Sequence, residues 1–226
     1  MLTPASISST ILRPDNTAAA SATRPIGHID STDPSIFLIN GKTADFLEAN
    51  LNPGEKWQDF IGGAPRFLEF ISTELLPTLC NRYAIATSDV TLAGNSAAGV
   101  FAAYTLFSPD KPFQKYMISS PAMAYGDGEI FRREAHWAKA NQDLTAQVYM
   151  GAGSRELNNI FYESLGLIVS GMSKLNGVLL ARNYASLELF SDVYNDTGHI
   201  DSLFSNVAEG LRRLHPKQQF LQASFL

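Results

Sequence analysis

One serine in this sequence has the small neighbours that a nucleophile on a tight strand-to-helix turn requires. Ser96 lies within residues 94–99, which read Gly-Asn-Ser-Ala-Ala-Gly. Such a turn tolerates only small side chains two positions before and two positions after the turning residue, because larger ones would clash. Gly94 and Ala98 meet this requirement, although Ala98 replaces the second glycine of the usual G-x-S-x-G pattern. The turn would hold the Ser96 hydroxyl at a helix N-terminus, where the N–H of Ala97 can stabilise an oxyanion.

The alternative is that Ser96 only caps the helix that follows it, a role that serine fills well. The motif lies between a strand predicted at residues 90–94 and a helix predicted at residues 97–107. Because that context is the one in which a nucleophile turn occurs, the sequence favours the nucleophile hypothesis.

A serine hydroxyl needs a base, and position along the chain favours His199. Hydrolases built on a parallel α/β sheet usually order their residues as nucleophile, acid and histidine. His199 lies in the loop at residues 195–200, after a predicted strand and before the last predicted helix. We interpret the other histidines as surface or packing residues: they are His28, His136 and His215.

The acid of such a site has one leading candidate and two rivals. Glu156 follows the strand predicted at residues 146–150, which is the expected place for the acid. Its alternative role is to pair with Arg155 or to complement a helix dipole. Asp192 and Asp196 are the rivals near the histidine, and a dyad without an acid is a further alternative.

Strands alternate with helices along the chain, which predicts a parallel sheet covered by helices on both faces. The predicted strands are at residues 35–40, 90–94, 115–120, 146–150 and 186–194. The predicted helices are at residues 64–83, kinked at Pro77, and at 97–107, 130–140, within 157–183, and 201–214. Residues 1–33 are predicted to be an irregular leader, and residues 34–226 one α/β domain.

Composition excludes several other classes. The 226 residues carry a net charge of −5 without a Lys/Arg cluster, so we expect neither nucleic-acid nor membrane partners. The scattered histidines predict no metal site, and the single cysteine, Cys80, is predicted to be a buried core thiol. Because the N-terminus lacks the pattern of a signal peptide, we expect a cytoplasmic location.

Several stretches together resemble the esterase family of α/β-hydrolases that includes esterase D-type and enterochelin (ferric siderophore) esterases. They are residues 66–71, 74–77, 82–83, 92–99, 118–121 and 198–199, and the likeness spans about residues 34–214. It implies an α/β-hydrolase fold and a serine esterase that hydrolyses a small-molecule carboxylic ester through an acyl-enzyme, without metal or organic cofactor.

The chain departs from that family in two places. Family members usually have another residue at Asn95, followed by a double glycine where this chain has Ala98-Gly99. They also open with several strands before the one predicted at residues 36–39, so we expect the N-terminal strands to be shortened or missing. The second oxyanion donor would then be missing or be supplied by Asn40-Gly41, and an open sheet edge would favour a homodimer. The alternatives are a non-catalytic binding protein of the same fold and an acyltransferase.

Overall fold

The computed structural model describes residues 34–41 and 63–216. They form a five-stranded sheet in which neighbouring strands follow chain order and every pair is parallel. The strands are β1 Pro34–Gly41, β2 Ala86–Ser96, β3 Lys115–Ser119, β4 Ala146–Gly153 and β5 Leu187–Tyr194. The helices are α1 Ala64–Phe70, α2 Leu76–Arg82, α3 Ala97–Leu106, α4 Tyr125–Ala140, α5 Val169–Arg182 and α6 Asp201–Leu214. The predicted α/β class is confirmed.

The central strands are buried on both faces because successive side chains of a strand point to opposite sides of the sheet. On β3, Tyr116 and Ile118 belong to a large hydrophobic cluster, whereas Met117 belongs to a smaller one. Helices α1, α3, α4 and α5 cover the large cluster, and α6 covers the small one through Leu211 and Leu214. Helices therefore lie on both faces, as the alternation of elements predicted.

The helix predicted at residues 64–83 was expected to kink at Pro77, but its irregular turn lies before that proline. A π turn, Ile71–Leu75, joins α1 to α2, and the N–H of Leu76 donates to the carbonyl of Ile71. Proline has no N–H to offer the carbonyl four residues earlier, so a wider turn ahead of it absorbs the missing bond. Cys80, on α2, is half-buried, so the prediction of a buried core thiol was wrong.

Two other predicted helices have different bounds in the structure. At the start of α4, residues 126–128 have φ angles of 60°, 56° and 69°, so regular helix begins after them, close to the predicted start. The region predicted to hold one long helix within 157–183 contains a π turn, Ile160–Leu165, followed by α5.

Some predictions lie outside the described residues. These are the irregular leader at 1–33, most of the loop after β1, and the chain beyond residue 216. Among the helices that the structure does describe, none is both long and apolar enough to cross a membrane.

Two leucines of α5 provide a test of this packing. Leu175 is fully buried in the large cluster, whereas Leu180 is 61% exposed. We expect Leu175→Ala to lower the free energy of unfolding by about 2–5 kcal/mol, because it leaves a cavity. The control, Leu180→Ala, should change it by less than about 0.5 kcal/mol. Urea unfolding measures both values, and equal losses would contradict the packing of α5 against the sheet.

Candidate active site

Ser96 occupies a strained turn between β2 and α3. Its backbone angles are φ 59° and ψ −119°, a region that side-chain-bearing residues rarely adopt. A Cβ atom on Gly94 would lie 2.1 Å from the carbonyl oxygen of Ala98, so only glycine fits there. The Ser96 side chain makes no capping hydrogen bond to α3, and the interpretation of Ser96 as a mere helix cap was therefore wrong.

Backbone groups surround this turn on two sides. Ala97 is the first residue of α3, so its N–H belongs to the helix end that has no partner within the helix. In the register of β1 with β2, Asn40 lies opposite Asn95 and Gly41 lies opposite Ser96. The backbone of Asn40 and Gly41 is thus adjacent to the turn.

The structure brings His199 and Glu156 into direct contact. The Nδ1 atom of His199 lies 2.6 Å from Oε2 of Glu156. Glu156 closes a 3₁₀ turn directly after β4, and His199 follows β5, so both lie at the same carboxyl end of the sheet as Ser96. The side chain of Glu156 is fully buried and that of His199 is 10% exposed. The contact is a partly buried hydrogen bond between the two side chains.

The second oxygen of the Glu156 carboxylate is also satisfied. Oε1 accepts hydrogen bonds from the Ser120 hydroxyl at 2.7 Å and from the Gly153 N–H at 2.7 Å. Gly153 has no room for a side chain, since an added Cβ would lie 2.1 Å from the carbonyl oxygen of Thr197. A buried carboxylate is tolerated only when it is paired in this way.

Both rival acids have other partners. Asp192 accepts a hydrogen bond from the hydroxyl of Tyr149 at 2.8 Å. Asp196 forms an exposed ion pair with Arg155 at 2.8 Å, so the predicted alternative in which Arg155 pairs with Glu156 was wrong. Of the candidate acids, Glu156 is the one that contacts His199.

The two other histidines that the structure describes are His136 and His215. His136 is exposed on α4. His215 is buried, with its Nε2 3.0 Å from the Thr91 hydroxyl and its Nδ1 3.2 Å from Lys115 Nζ. Burial first, and then the positive charge of Lys115, lower the pKa of His215. No group of three His, Cys, Asp or Glu side chains in the described part of the chain is arranged to hold a metal ion.

The sequence matches the family described as "Putative esterase" over residues 36–158, which is 123 of the 226 residues. The chain belongs to this esterase family. The matched region contains Ser96 and Glu156 and ends before His199, whose contact with Glu156 is therefore an observation of the structure alone.

Known proteins are similar to this chain in sequence and in structure. The ferri-bacillibactin esterase BesA of Bacillus subtilis (strain 168) is 29% identical over 107 residues, which cover 46% of this chain and 36% of BesA. The BES protein from Bacillus cereus superposes with a TM-score of 0.59 at 26% identity, over 68% of this chain and 56% of that one. The siderophore hydrolase EstA from Aspergillus nidulans shares the fold, with a TM-score of 0.58, 21% identity, and coverage of 66% and 56%. The chain has the α/β-hydrolase fold and spans less than two thirds of each relative's length.

The sequence did not predict three residues that lie around Glu156 and His199. Ser120 holds the Glu156 carboxylate and contacts the Ser202 hydroxyl at 2.8 Å, and Ser202 donates to the backbone carbonyl of His199 at 3.0 Å. Tyr162 stacks on the His199 ring. Ser120 directly follows β3, and this end of a parallel strand was the signal that could have found it.

The departure from the family at Asn95 has a structural explanation. Asn95 is buried, and its side-chain carbonyl accepts from the Ser119 hydroxyl at 2.8 Å. The amide of Asn206 on α6 donates to that same hydroxyl at 2.7 Å. Asn95 therefore ties the turn at Ser96 to β3 and, through Ser119, to α6.

Two glycine replacements test the turn. We expect Gly94→Ala to destabilise the protein by about 1–3 kcal/mol or more, because the new methyl group would collide with backbone atoms of α3. The control is Gly177→Ala on α5, where an added Cβ has nothing within 4 Å; it should stabilise the helix by about 0.5–1 kcal/mol. Urea unfolding of both variants measures the difference, and a fully stable Gly94→Ala variant would contradict the turn geometry.

Proposed function

We propose that this protein is a serine esterase that hydrolyses a carboxylic ester through an acyl-enzyme intermediate. In this proposal Ser96 is the nucleophile, His199 the general base, and Glu156 the acid that orients the histidine. The observation that carries it is the 2.6 Å contact between His199 Nδ1 and the buried carboxylate of Glu156. Membership of the esterase family supports the same reaction class.

The contact determines which nitrogen does the chemistry. A carboxylate can only accept, so the His199 ring carries its hydrogen on Nδ1 and leaves the lone pair of Nε2 free. Nε2 takes the proton of Ser96 as the Ser96 oxygen attacks the ester carbonyl carbon. The tetrahedral intermediate collapses when the alcohol leaves with that proton. A water molecule then repeats the sequence on the acyl-enzyme, releasing the acid and restoring Ser96.

The negative oxygen of the intermediate needs preorganised donors. We assign the N–H of Ala97 as the first, because it stands at the free N-terminal end of α3 beside Ser96. We assign the second to the Asn40-Gly41 segment, whose backbone is in register with residues 95 and 96. Losing one such donor typically lowers the rate about 10²–10³-fold.

The pairing of acid and histidine also bears on the alternative functions. A protein of this fold that only binds a ligand has no need for a buried carboxylate held against a histidine, since burying that charge is unfavourable unless it is paired. Acyl transfer to an alcohol would use the same residues, and product analysis with an added alcohol separates it from hydrolysis.

The substrate is also part of the proposal. BesA is named for ferri-bacillibactin, so that ester is the first natural compound to test. The expected cytoplasmic location and the expected homodimer stay predictions.

A fluorophosphonate probe tests the nucleophile. We expect it to label wild-type protein at Ser96, as read by peptide mapping, because the probe reacts only with an activated serine hydroxyl. Ser96→Ala should abolish labelling, whereas Ser173→Ala, which changes an exposed serine on α5, should leave it intact. Labelling at another serine, or none beside a reactive control hydrolase, would contradict the proposal.

Replacing the acids one at a time tests the role of Glu156. Glu156→Gln should lower kcat for p-nitrophenyl acetate by about 10²–10⁴-fold, since the amide cannot hold the histidine in its working tautomer. Asp196→Asn is the matched control and should change kcat by less than about twofold, because Asp196 pairs with Arg155 at the surface. Circular dichroism checks that both variants fold, and a fully active Glu156→Gln variant would favour a dyad.

A further inference from the structure

The imidazole of His199 is held at one edge and covered on one face. The edge contact is the hydrogen bond from Nδ1 to Glu156. The face contact comes from Tyr162, whose ring is stacked on the imidazole with centroids 4.4 Å apart and planes 19° from parallel. One hydrogen bond fixes the position of Nδ1 but permits the ring to swing about it, so a second, flat contact is needed to fix the direction of Nε2.

We propose that Tyr162 is a positioning residue for the reaction, which acts through His199 by orienting the imidazole and stabilising its protonated form. The inference rests on the proposed function, since it assigns His199 the role of base. The face of an aromatic ring is electron-rich and attracts a cation stacked upon it. The contact strengthens only once His199 has taken the serine proton, so it favours the transition state over bound substrate.

Tyr162 is itself held firmly enough for this role. It lies in the π turn Ile160–Leu165, an element that is common at functional sites. The side-chain oxygen of Asn159 accepts from the backbone N–H groups of Phe161 at 2.9 Å and Tyr162 at 3.3 Å. The half-buried ring of Tyr162 also packs against the large hydrophobic cluster, and the Phe161 ring meets it edge-on at 5.4 Å.

Close packing and hydrogen bonds also fix the end of the π turn that contains Tyr162. A Cβ atom on Gly166 would lie 2.5 Å from the Tyr162 carbonyl oxygen, so glycine is required there. The Glu163 carboxylate accepts from the N–H of Val169 at 3.1 Å and of Ser170 at 3.2 Å, which fixes the turn to the start of α5. These contacts fix the segment that holds the Tyr162 ring against His199.

Replacing Tyr162 removes none of the charged side chains on the segments next to His199. Glu156 contacts the ring directly, Arg155 and Asp196 pair with each other, and Glu163 caps α5. Asp201 begins α6 two residues after the histidine. A change in pH dependence that follows loss of the Tyr162 ring is therefore attributable to the ring itself.

The test compares Tyr162→Leu with Tyr162→Phe, using Phe204→Leu on the exposed part of α6 as the control. Leucine keeps bulk but removes the aromatic face, so we expect kcat for p-nitrophenyl acetate to fall about 2–30-fold with KM within about twofold. The low-pH limb of the kcat profile should move about 0.4–1.5 pH units lower, because the protonated histidine loses stabilisation. Tyr162→Phe should keep the wild-type kcat and pH profile, and Phe204→Leu should do the same.

A spectroscopic measurement on the wild-type protein adds a result that does not depend on enzymatic activity. The carbon-bound ring protons of His199, assigned by their loss in His199→Gln, should show an upfield ring-current shift in NMR spectra. Tyr162→Phe should retain that shift and Tyr162→Leu should lose it. Unshifted protons in wild type overturn the inference.

The kinetic outcomes separate this inference from the proposed function. A wild-type protein that is labelled at Ser96, together with a Tyr162→Leu variant of full kcat, overturns the role of Tyr162 alone. The role of Tyr162 is also overturned if Tyr162→Phe has a kcat as low as that of Tyr162→Leu. It is overturned as well if Tyr162→Leu raises KM and leaves kcat unchanged. Failure of wild-type Ser96 to react overturns both proposals.

Discussion

The carboxylate of Glu156 is fully buried, and the need to satisfy it constrains the whole end of the sheet around it. Its two oxygens take hydrogen bonds from three places in the chain: the Ser120 hydroxyl after β3, the Gly153 N–H at the end of β4, and His199 after β5. An unpaired charge in that position would be strongly unfavourable. The three segments are therefore held together, and the position of His199 Nδ1 follows from this requirement.

The parallel sheet places these groups close together, because the carboxyl ends of all its strands lie at the same edge of the sheet. On that side β2 ends in the strained conformation of Ser96, with φ at 59°. Local strain of this kind persists only when the surroundings enforce it. Three features hold the Ser96 turn in this conformation. The strands are buried on both faces of the sheet, Gly94 fits closely against α3, and the Asn95 side chain accepts a hydrogen bond from Ser119.

Much of the fold was predictable because alternating apolar runs and small-residue turns are local signals. The turn at Ser96 follows from residues two positions away, and all five strands lie within a few residues of their predicted bounds. The sequence did not decide which acidic side chain contacts His199, since Asp196 is nearer to His199 along the chain and yet pairs with Arg155 in space. Tyr162 was missed for the same reason: its contact with His199 joins a π turn to a distant loop, and no spacing within the sequence encodes it.

The proposed mechanism requires that His199 takes the proton of Ser96 while the Ser96 oxygen attacks the ester carbonyl carbon. The most direct measurement is a crystal structure of the protein after reaction with a fluorophosphonate. We expect phosphorus bonded to the Ser96 oxygen, with His199 Nε2 within about 3.2 Å of that oxygen. We also expect a phosphonyl oxygen about 2.7–3.1 Å from the Ala97 nitrogen. An unmodified Ser96, or an adduct at Ser96 with the imidazole turned away from it, would show that Ser96 and His199 do not act together.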